Sequence, residues 1–208
     1  PQAEMHAIRN AARVLREKGH HVVLWMAGKD VEASAVQNWD GPVITVPAEG
    51  FASGLSLDAL GTAWSLGQAA LNSRRRMRAE RPDVLLAMGS YASAGPITAA
   101  LSLRIPVVLH EANVLPGRAV KLFARWATAV AAHFEETRFY LRRKDLVVTG
   151  MPIRRELEVA AAQPRETPPH PDFFTVFIMG GSRGAHQLND LGSLALNRVQ
   201  ALDYRVRV

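Results

Sequence analysis

Short apolar runs alternate along the chain with longer stretches that have the spacing of amphipathic helices. The runs lack the polar alternation of a half-exposed strand, which predicts a parallel sheet covered on both faces. Strands are predicted at residues 21–26, 42–47, 82–89, 106–110, 128–133 and 145–150, and helices at 3–18, 31–38, 56–80, 95–103 and 116–127. Right-handed crossovers then give a doubly wound α/β fold, in which ligands bind beyond the carboxyl ends of the strands.

A change of composition at residues 160–172 divides the chain. This segment, AAAQPRETPPHPD, has four prolines and few apolar residues, which is typical of a linker. We therefore predict one domain over residues 1–159 and the start of a second α/β domain over residues 173–208. The second piece has 36 residues, too few to bury a core of its own, so the chain is expected to be a fragment or to find its other half elsewhere.

The charge balance favours an anionic partner. The chain has 25 Lys and Arg against 19 Asp and Glu, a net charge of +6, which suits a phosphate, a nucleotide, a nucleic acid or an acidic membrane surface. It has no Cys, which excludes a disulfide framework and thiolate chemistry. No apolar run approaches about 18 residues, so no membrane span is predicted, and the first residues lack the pattern of a signal peptide.

Polar residues follow the strand at 106–110 directly. In HEANVLPG, His110 and Glu111 are candidate bases, and Asn113 is an amide that can hold sugar hydroxyls. The position after a buried strand predicts that all three lie at the ligand-facing edge of the sheet. The structural alternative is that Glu111 and Asn113 only satisfy free N–H groups of the next helix, which accounts for one polar residue better than for three.

A second polar loop follows the strand at 82–89. In MGSYASAGP, the residues Ser90, Tyr91 and Ser93 are expected at the same edge of the sheet. A hydrolase nucleophile elbow centred on Ser93 is a rival interpretation, but Tyr91 replaces the first glycine of that motif. Capping of the next helix by Ser93 is the structural alternative, and it does not exclude a binding role for the loop.

The segment 177–187, FIMGGSRGAHQ, predicts a strand, a glycine-rich turn and a helix. Backbone N–H groups in such a turn bind anions, Gly181 and Gly184 allow a phosphate to approach, and Ser182 can donate a hydrogen bond. The segment is neither a Walker A loop nor a G-x-G-x-x-G motif, and a turn that merely packs a strand on a helix is the alternative. Arg154, in GMPIRRE, is either a partner for a phosphate or a solvated surface residue.

The segment 55–82 carries apolar residues ahead of a cationic cluster. This order is typical of an interfacial membrane contact, although a core-facing helix with a solvated end gives the same pattern. The residues proposed for membrane contact are Leu57, Leu60, Trp64, Arg74, Arg75 and Arg76. The chain has no D-x-D triplet and no cluster with metal-ligand spacing, so we expect helix termini and arginine to neutralise any bound diphosphate, without a metal or another cofactor.

Four stretches occur in the same order in one known family. They are PDVLLAMGSYASAGP, IPVVLHEANVLPGRA, VVTGMPIRREL and FIMGGSRGAHQLND. The chain resembles the MurG family of bacterial peptidoglycan glycosyltransferases, in glycosyltransferase family 28, over roughly residues 12 to 195. The resemblance implies two Rossmann-like domains in the GT-B arrangement. It also implies an inverting transfer of N-acetylglucosamine from UDP-GlcNAc to undecaprenyl-diphospho-muramoylpentapeptide (lipid I), which gives lipid II.

The resemblance also implies roles for individual residues. The acceptor-side residues are Tyr91, Ser93, His110 and Asn113. The donor-binding residues are Asn113, Arg154, Gly181, Ser182 and Gly184, with the serine at the diphosphate. The implied partners are UDP-GlcNAc, a polyprenyl-diphosphate-linked muropeptide and an anionic membrane surface, with no nucleic acid, and the implied location is the cytoplasmic face of the bacterial inner membrane, as a peripheral protein.

The chain departs from the family at its start. The family opens with a strand and a GGTGGH loop whose histidine is the favoured base, and neither is recognisable ahead of LREKGH. Glu4 and His6 stand nearest the missing histidine, so they join Glu111 as candidate bases. Ala112 stands where the family has Gln, and GMP stands where GNP is usual. We expect this chain alone to be inactive.

Two further hypotheses belong to other functional classes. The first is a non-catalytic, membrane-associated acceptor-binding subunit of a split glycosyltransferase, which the missing glycine loop favours and the GGSRGA segment opposes. The second is an unrelated nucleotide-binding regulator.

Overall fold

The computed structural model divides the 208-residue chain into two compact units, Pro1–Ala160 and Ala161–Val208. The residues that it describes are 2–26, 39–45, 57–141, 143, 145–153, 155–164, 174–175, 190–192, 194–196, 198 and 206–207. The functions assigned to the predicted domains 1–159 and 173–208 stay predictions.

The first unit alternates strands and helices. Its strands are β1 (Leu24–Met26), β2 (Val43–Thr45), β3 (Leu85–Ala87), β4 (Val107–Glu111), β5 (Ala129–Ala132) and β6 (Leu146–Val148). Its helices are α1 (Gln2–Glu17), α2 (Leu57–Glu80), α3 (Ala94–Ser102), α4 (Arg118–Phe123) and α5 (Thr137–Leu141), followed by α6 (Arg155–Ala162). A 3₁₀ turn, Tyr91–Ser93, precedes α3. This order confirms the predicted α/β class.

Every described strand pairing is parallel, as the apolar runs predicted. The order β3-β4-β5-β6 makes a four-stranded sheet, and β1 pairs with β2 in a two-stranded one. Strand β4 pairs on both sides, with Leu109 opposite Ala87 of β3 and Val130 of β5. Such a central strand is buried, which explains why residues 107–109 are apolar without alternation.

The hydrophobic core lies between this sheet and the helices that flank its strands. Ile97 of α3, Val120 of α4, and Leu109 and Val130 of the sheet are all 0% exposed. Helix α3 approaches α2 closely, because Gly95 has no side chain: a Cβ there would lie 2.8 Å from the Cβ of Ala69. The core therefore fixes β4 and the helix that follows it.

Several predicted bounds differ from the structure. Helix α4 covers only Arg118–Phe123 of the predicted 116–127, since the chain turns at Ala124. Helix α6 continues through Ala162, into the predicted linker; alanine favours a helix, and Pro164 stops it. Helix α5 was not predicted. The helix predicted at 31–38 lies outside the described residues.

The second unit contains a parallel pair of short strands. Strand β7 (Phe174–Thr175) pairs with β8 (Val206–Arg207), and the described residues between 190 and 198 are helical. These elements agree with the α/β class predicted for residues 173–208. The predicted glycine-rich turn, with Gly181, Ser182 and Gly184, lies outside the described residues, and so does Arg154.

Candidate sugar-binding edge of the sheet

The carboxyl ends of β3 to β6 meet at one edge of the four-stranded sheet. We call the residues that follow these strands, 88–93, 112–117, 133–137 and 149–153, the carboxyl edge. Two loops of this edge touch: a Cβ on Gly117 would lie 3.6 Å from the carbonyl oxygen of Gly89. The 3₁₀ turn that begins at Tyr91 also contacts α4. The structure therefore brings the loop of Tyr91 beside the loop of Asn113, as predicted from the parallel sheet.

Glu111 ends β4 and points into the loop that follows it. Its side chain is buried, at 4% exposure. Oε1 accepts hydrogen bonds from the backbone N of Asn113 (2.9 Å) and from its Nδ2 (3.0 Å), and Oε2 accepts one from the backbone N of Gly117 (2.8 Å). Both carboxylate oxygens are thus engaged within the chain, which argues against the role of base predicted for Glu111.

Asn113 lies at the surface of the carboxyl edge. Its backbone oxygen accepts a hydrogen bond from Oγ1 of Thr137, at 3.1 Å. Thr137 opens α5 and is fully buried, so this bond ties the loop after β4 to the segment after β5. Glu111 and Thr137, both buried, therefore hold Asn113 in place, while its own side chain stays accessible. Its predicted contacts with acceptor and donor stay predictions.

His110 does not face the open edge. The side chain is 5% exposed, and Nε2 lies 3.1 Å from the carbonyl oxygen of Gly150. Because a carbonyl only accepts, Nε2 carries the proton. Nδ1 is buried and has no hydrogen-bond partner within the described part of the chain. The ring therefore links β4 to the residues after β6, and the predicted role of His110 on the acceptor side stays a prediction.

Ser93 does not cap α3. Its backbone dihedrals, φ −76° and ψ −18°, are already helical, and its side chain makes no capping hydrogen bond. The capping alternative fails because a capping serine needs an extended backbone, whereas the 3₁₀ turn runs straight into α3. The same helical backbone differs from the strained turn of a nucleophile elbow. The side chain of Tyr91 lies outside the described part of the structure.

Helix α1 reaches the last loop of the carboxyl edge. Nδ2 of Asn10 donates a hydrogen bond to the carbonyl oxygen of Pro152, at 3.5 Å. His6 lies four residues earlier and so on the same face of α1, and its Nδ1 is buried without a partner among the described residues. The side chain of Glu4 is outside the described part of the structure. The catalytic roles of Glu4 and His6 stay predictions.

Helix α2 has both a buried and an exposed face. Ala69, Ser73 and Met77, spaced four residues apart, form its buried stripe. Trp64 is 72% exposed on the same helix. Arg75 and Arg76 are exposed, whereas Arg74 donates a hydrogen bond to Oγ of Ser102 on α3 and is partly buried. Arg74 is therefore engaged within the chain, and its predicted membrane contact stays a prediction. The side chains of Leu57 and Leu60 lie outside the described part.

In the described part of the chain, the clear pKa shifts lie away from the carboxyl edge. Asp145 precedes β6, and a hydrogen bond from Arg143 at 2.8 Å lowers the pKa of Asp145 to about 2. In the described part of the chain, no three His, Asp or Glu side chains are grouped to hold a metal ion. The prediction of a site without metal or cofactor stays a prediction.

Comparison with known proteins decides the family. Residues 9–132 match the model of the glycosyltransferase family 28 N-terminal domain. The chain belongs to glycosyltransferase family 28. This confirms the resemblance found in the four sequence stretches, and the matched residues include β4, Glu111 and Asn113.

Three relatives within family 28 share one name, UDP-N-acetylglucosamine–N-acetylmuramyl-(pentapeptide) pyrophosphoryl-undecaprenol N-acetylglucosamine transferase. The protein of Gloeothece citriformis is 34% identical over 152 residues, which cover 73% of this chain and 42% of that protein. The protein of Geobacter sulfurreducens is 36% identical over 65% of this chain and 37% of its own length. The protein of Syntrophotalea carbinolica is 30% identical over 97% of this chain and 55% of its own length. The chain thus spans about half the length of these relatives.

A solved structure supports the fold of this family 28 chain. The crystal structure of MurG from Acinetobacter baumannii matches with a TM-score of 0.64 and 21% sequence identity, over 88% of this chain and 51% of that one. At this identity the match concerns the fold alone, and it agrees with the Rossmann-like, GT-B prediction.

Sequence reasoning missed three residues that shape the site in this family 28 domain. They are Asn10, Thr137 and Gly150. Gly150 has a left-handed backbone, with φ +72°. Of the three, only Gly150 had a signal in the sequence, as a glycine at the end of a predicted strand.

Proposed function

We propose that the chain is the acceptor-binding part of an inverting glycosyltransferase. The enzyme moves N-acetylglucosamine from UDP-GlcNAc to undecaprenyl-diphospho-muramoylpentapeptide and so makes lipid II. The observation that carries the proposal is Asn113, an accessible amide held at the carboxyl edge beside the loop of Tyr91. The names of the relatives support this reaction, and they give no support to the alternative of a non-catalytic subunit.

The reaction needs two kinds of group, a base and a site that stabilises the leaving group. Displacement with inversion needs a base for the incoming hydroxyl and stabilisation of the departing UDP. For the base we propose His6 ahead of Glu4, because His6 shares a face of α1 with Asn10, whose amide reaches Pro152 at the carboxyl edge. The engaged carboxylate of Glu111 makes it the weaker candidate.

For the donor we propose Arg154, Ser182 and the backbone of Gly181 and Gly184. Arginine and serine donate hydrogen bonds to a diphosphate, and glycines allow its close approach. These groups neutralise the leaving group without a divalent ion. We also propose Asn113 as a residue that contacts the donor.

We propose that the protein binds as a peripheral protein to the cytoplasmic face of the bacterial inner membrane, where its lipid-linked acceptor lies. Exposed Trp64 and Leu71, with Arg75 and Arg76 on the same helix, suit an anionic interface. Among the described helices, none is long and apolar enough to span a bilayer. Replacing both arginines, Arg75→Ser and Arg76→Ser, should weaken adsorption to anionic vesicles. Unchanged adsorption would contradict the proposed membrane binding.

Transfer of radiolabelled N-acetylglucosamine by the complete gene product tests the proposed reaction. The wild-type protein is expected to label the lipid-linked acceptor, and Asn113→Ala to lower kcat/KM about 10- to 100-fold, the effect of one or two lost hydrogen bonds to substrate. Asn72→Ala, on the exposed surface of α2, is the matched control. A wild-type protein without transfer activity, or an Asn113→Ala variant as active as the control, contradicts the proposal.

A further inference from the structure

All the hydrogen bonds described for the Glu111 carboxylate come from donors in one short loop. Its three donors are the backbone N and Nδ2 of Asn113 and the backbone N of Gly117. The carboxylate is buried, so these N–H groups replace the water that would otherwise solvate its oxygens. The loop and the carboxylate therefore stabilise each other.

The carboxylate also decides which way the Asn113 amide points. An ionised carboxylate only accepts hydrogen bonds, so the half of the amide that faces Oε1 must be the NH₂ group. The other half, Oδ1, then lies on the side away from Glu111. Among the hydrogen bonds of the described residues, none ends on this oxygen. The side chain of Asn113 is exposed, which leaves Oδ1 accessible to a ligand.

The backbone of Asn113 is fixed independently. Thr137, fully buried at the start of α5, donates to the carbonyl oxygen of Asn113 at 3.1 Å. The residue is thus held at its N, its O and its Nδ2. Such preorganisation lowers the entropic cost of binding, because the group that the ligand contacts is already ordered.

We propose that Glu111 is a positioning residue that locks the amide of Asn113, so that Oδ1 is presented as a fixed acceptor for a sugar hydroxyl of the substrate. Glu111 touches no substrate in this arrangement and acts through Asn113. That the hydroxyl belongs to a substrate of the transfer rests on the proposed function. The fixed orientation of the Asn113 amide does not rest on it.

The lock is tested by NMR on the complete gene product with ¹⁵N-labelled asparagine. The Nδ2 protons of Asn113, assigned through Asn113→Ala, are expected to exchange with water at least about 10-fold more slowly than those of a free amide, because one is bonded to a buried carboxylate. Glu111→Leu, which removes both acceptor oxygens, should abolish this protection, and Glu136→Leu, at an exposed glutamate near α5, should leave it intact. Unprotected protons in the wild type, or protection that survives Glu111→Leu, overturns the proposal whether or not the protein transfers sugar.

The functional consequence is tested by a double-mutant cycle on kcat/KM, with UDP-GlcNAc and the lipid-linked acceptor. Glu111→Leu is expected to lower kcat/KM about 10- to 100-fold in the wild-type background and less than about 3-fold in the Asn113→Ala background. Equal losses in both backgrounds would mean that Glu111 acts independently of Asn113, which overturns the proposal. A wild-type protein without transfer activity contradicts the proposed function and removes the sugar hydroxyl, while the NMR result still decides the lock.

A second variant guards against loss of folding in Glu111→Leu. Thr137→Val keeps the shape of the side chain and removes only the hydrogen bond to the carbonyl oxygen of Asn113. It should lower kcat/KM by a smaller factor, about 3- to 10-fold, and leave Nδ2 protected. Full activity in Thr137→Val together with full activity in any folded Glu111→Leu sample overturns the positioning role.

Discussion

At the scale of single residues, glycine at position 89 allows two loops of the carboxyl edge to meet. Gly89 has φ +69°, and a Cβ there would lie 2.3 Å from Cγ2 of Val120, which is 0% exposed. A side chain would therefore meet both an unfavourable backbone conformation and a buried, β-branched neighbour. The close approach of the loops of Tyr91 and Asn113 therefore depends on the absence of a side chain at position 89.

Gly89→Ala should accordingly destabilise the protein. The left-handed backbone costs an alanine about 1–2 kcal/mol, and overpacking against Val120 adds about 1–3 kcal/mol. We expect a loss of about 2–5 kcal/mol in the free energy of unfolding, measured by urea denaturation. Gly67→Ala, which has nothing within 4 Å of the new Cβ, is the control and should gain about 0.5–1 kcal/mol. Equal stability of the two variants would refute the steric explanation.

The pair of Arg143 and Asp145 predicts how stability varies in acid. The hydrogen bond from Arg143 lowers the pKa of Asp145 from 3.8 to about 2 in the folded protein. The folded state therefore gains stability from the ionised carboxylate above pH 3.8, and this gain is lost as the pH falls through about 2. Asp145→Asn should be less stable than wild type at neutral pH and lose that difference toward pH 2. Denaturation at several pH values measures it, and a difference that stays constant with pH would contradict the assignment.

Sequence reasoning predicted the positions of the site residues better than their roles. Asn113 was expected at the edge of the sheet and lies there, because the apolar pattern of β4 is local and fixes where the strand ends. The inward orientation of His110 was not predictable, since its partner Gly150 lies 40 residues further along the chain. Thr137, 24 residues from Asn113, was missed for the same reason.

At the scale of elements, the contact of α2 with α3 sets the position of the helix that follows the loop of Tyr91. Gly95 lets the helices approach until a Cβ at that position would lie 2.8 Å from the Cβ of Ala69 and 3.1 Å from its backbone carbon. The periodicity predicted both helices but not this contact, because close approach depends on which small residues face each other in the fold. The short α5 escaped prediction because its five residues are too few to show a period.

Gly95→Ala should push the two helices apart. The clash involves backbone atoms of Ala69, which cannot rotate away, so overpacking outweighs the gain in helix propensity. We expect a loss of about 1–2 kcal/mol in the free energy of unfolding, measured by thermal or urea denaturation. Gly61→Ala, on α2 with open space around it, is the control and should be neutral or stabilising. A Gly95→Ala protein as stable as this control would show that the helices do not meet there.

At the scale of the whole molecule, the carboxyl edge depends on one feature of parallel sheets. Strands that run in the same direction deliver their following loops to one edge, so residues far apart in sequence gather there. The loops after β3 and β4 meet in this way at Gly89 and Gly117. The hydrogen bond from His110 to Gly150 connects the residues after β6 to β4. Membership of glycosyltransferase family 28 agrees with a sugar substrate at this edge.

Hydrogen–deuterium exchange of the complete gene product, with and without the lipid-linked acceptor in detergent micelles, tests this claim most directly. Binding at the carboxyl edge should slow exchange in peptides that cover residues 88–93 and 111–117, while peptides from the start of β6 at Asp145–Leu146, on the opposite edge, should exchange as before. Empty micelles are the control. Protection confined to other parts of the chain, with 88–93 and 111–117 unchanged at saturating acceptor, would contradict the account.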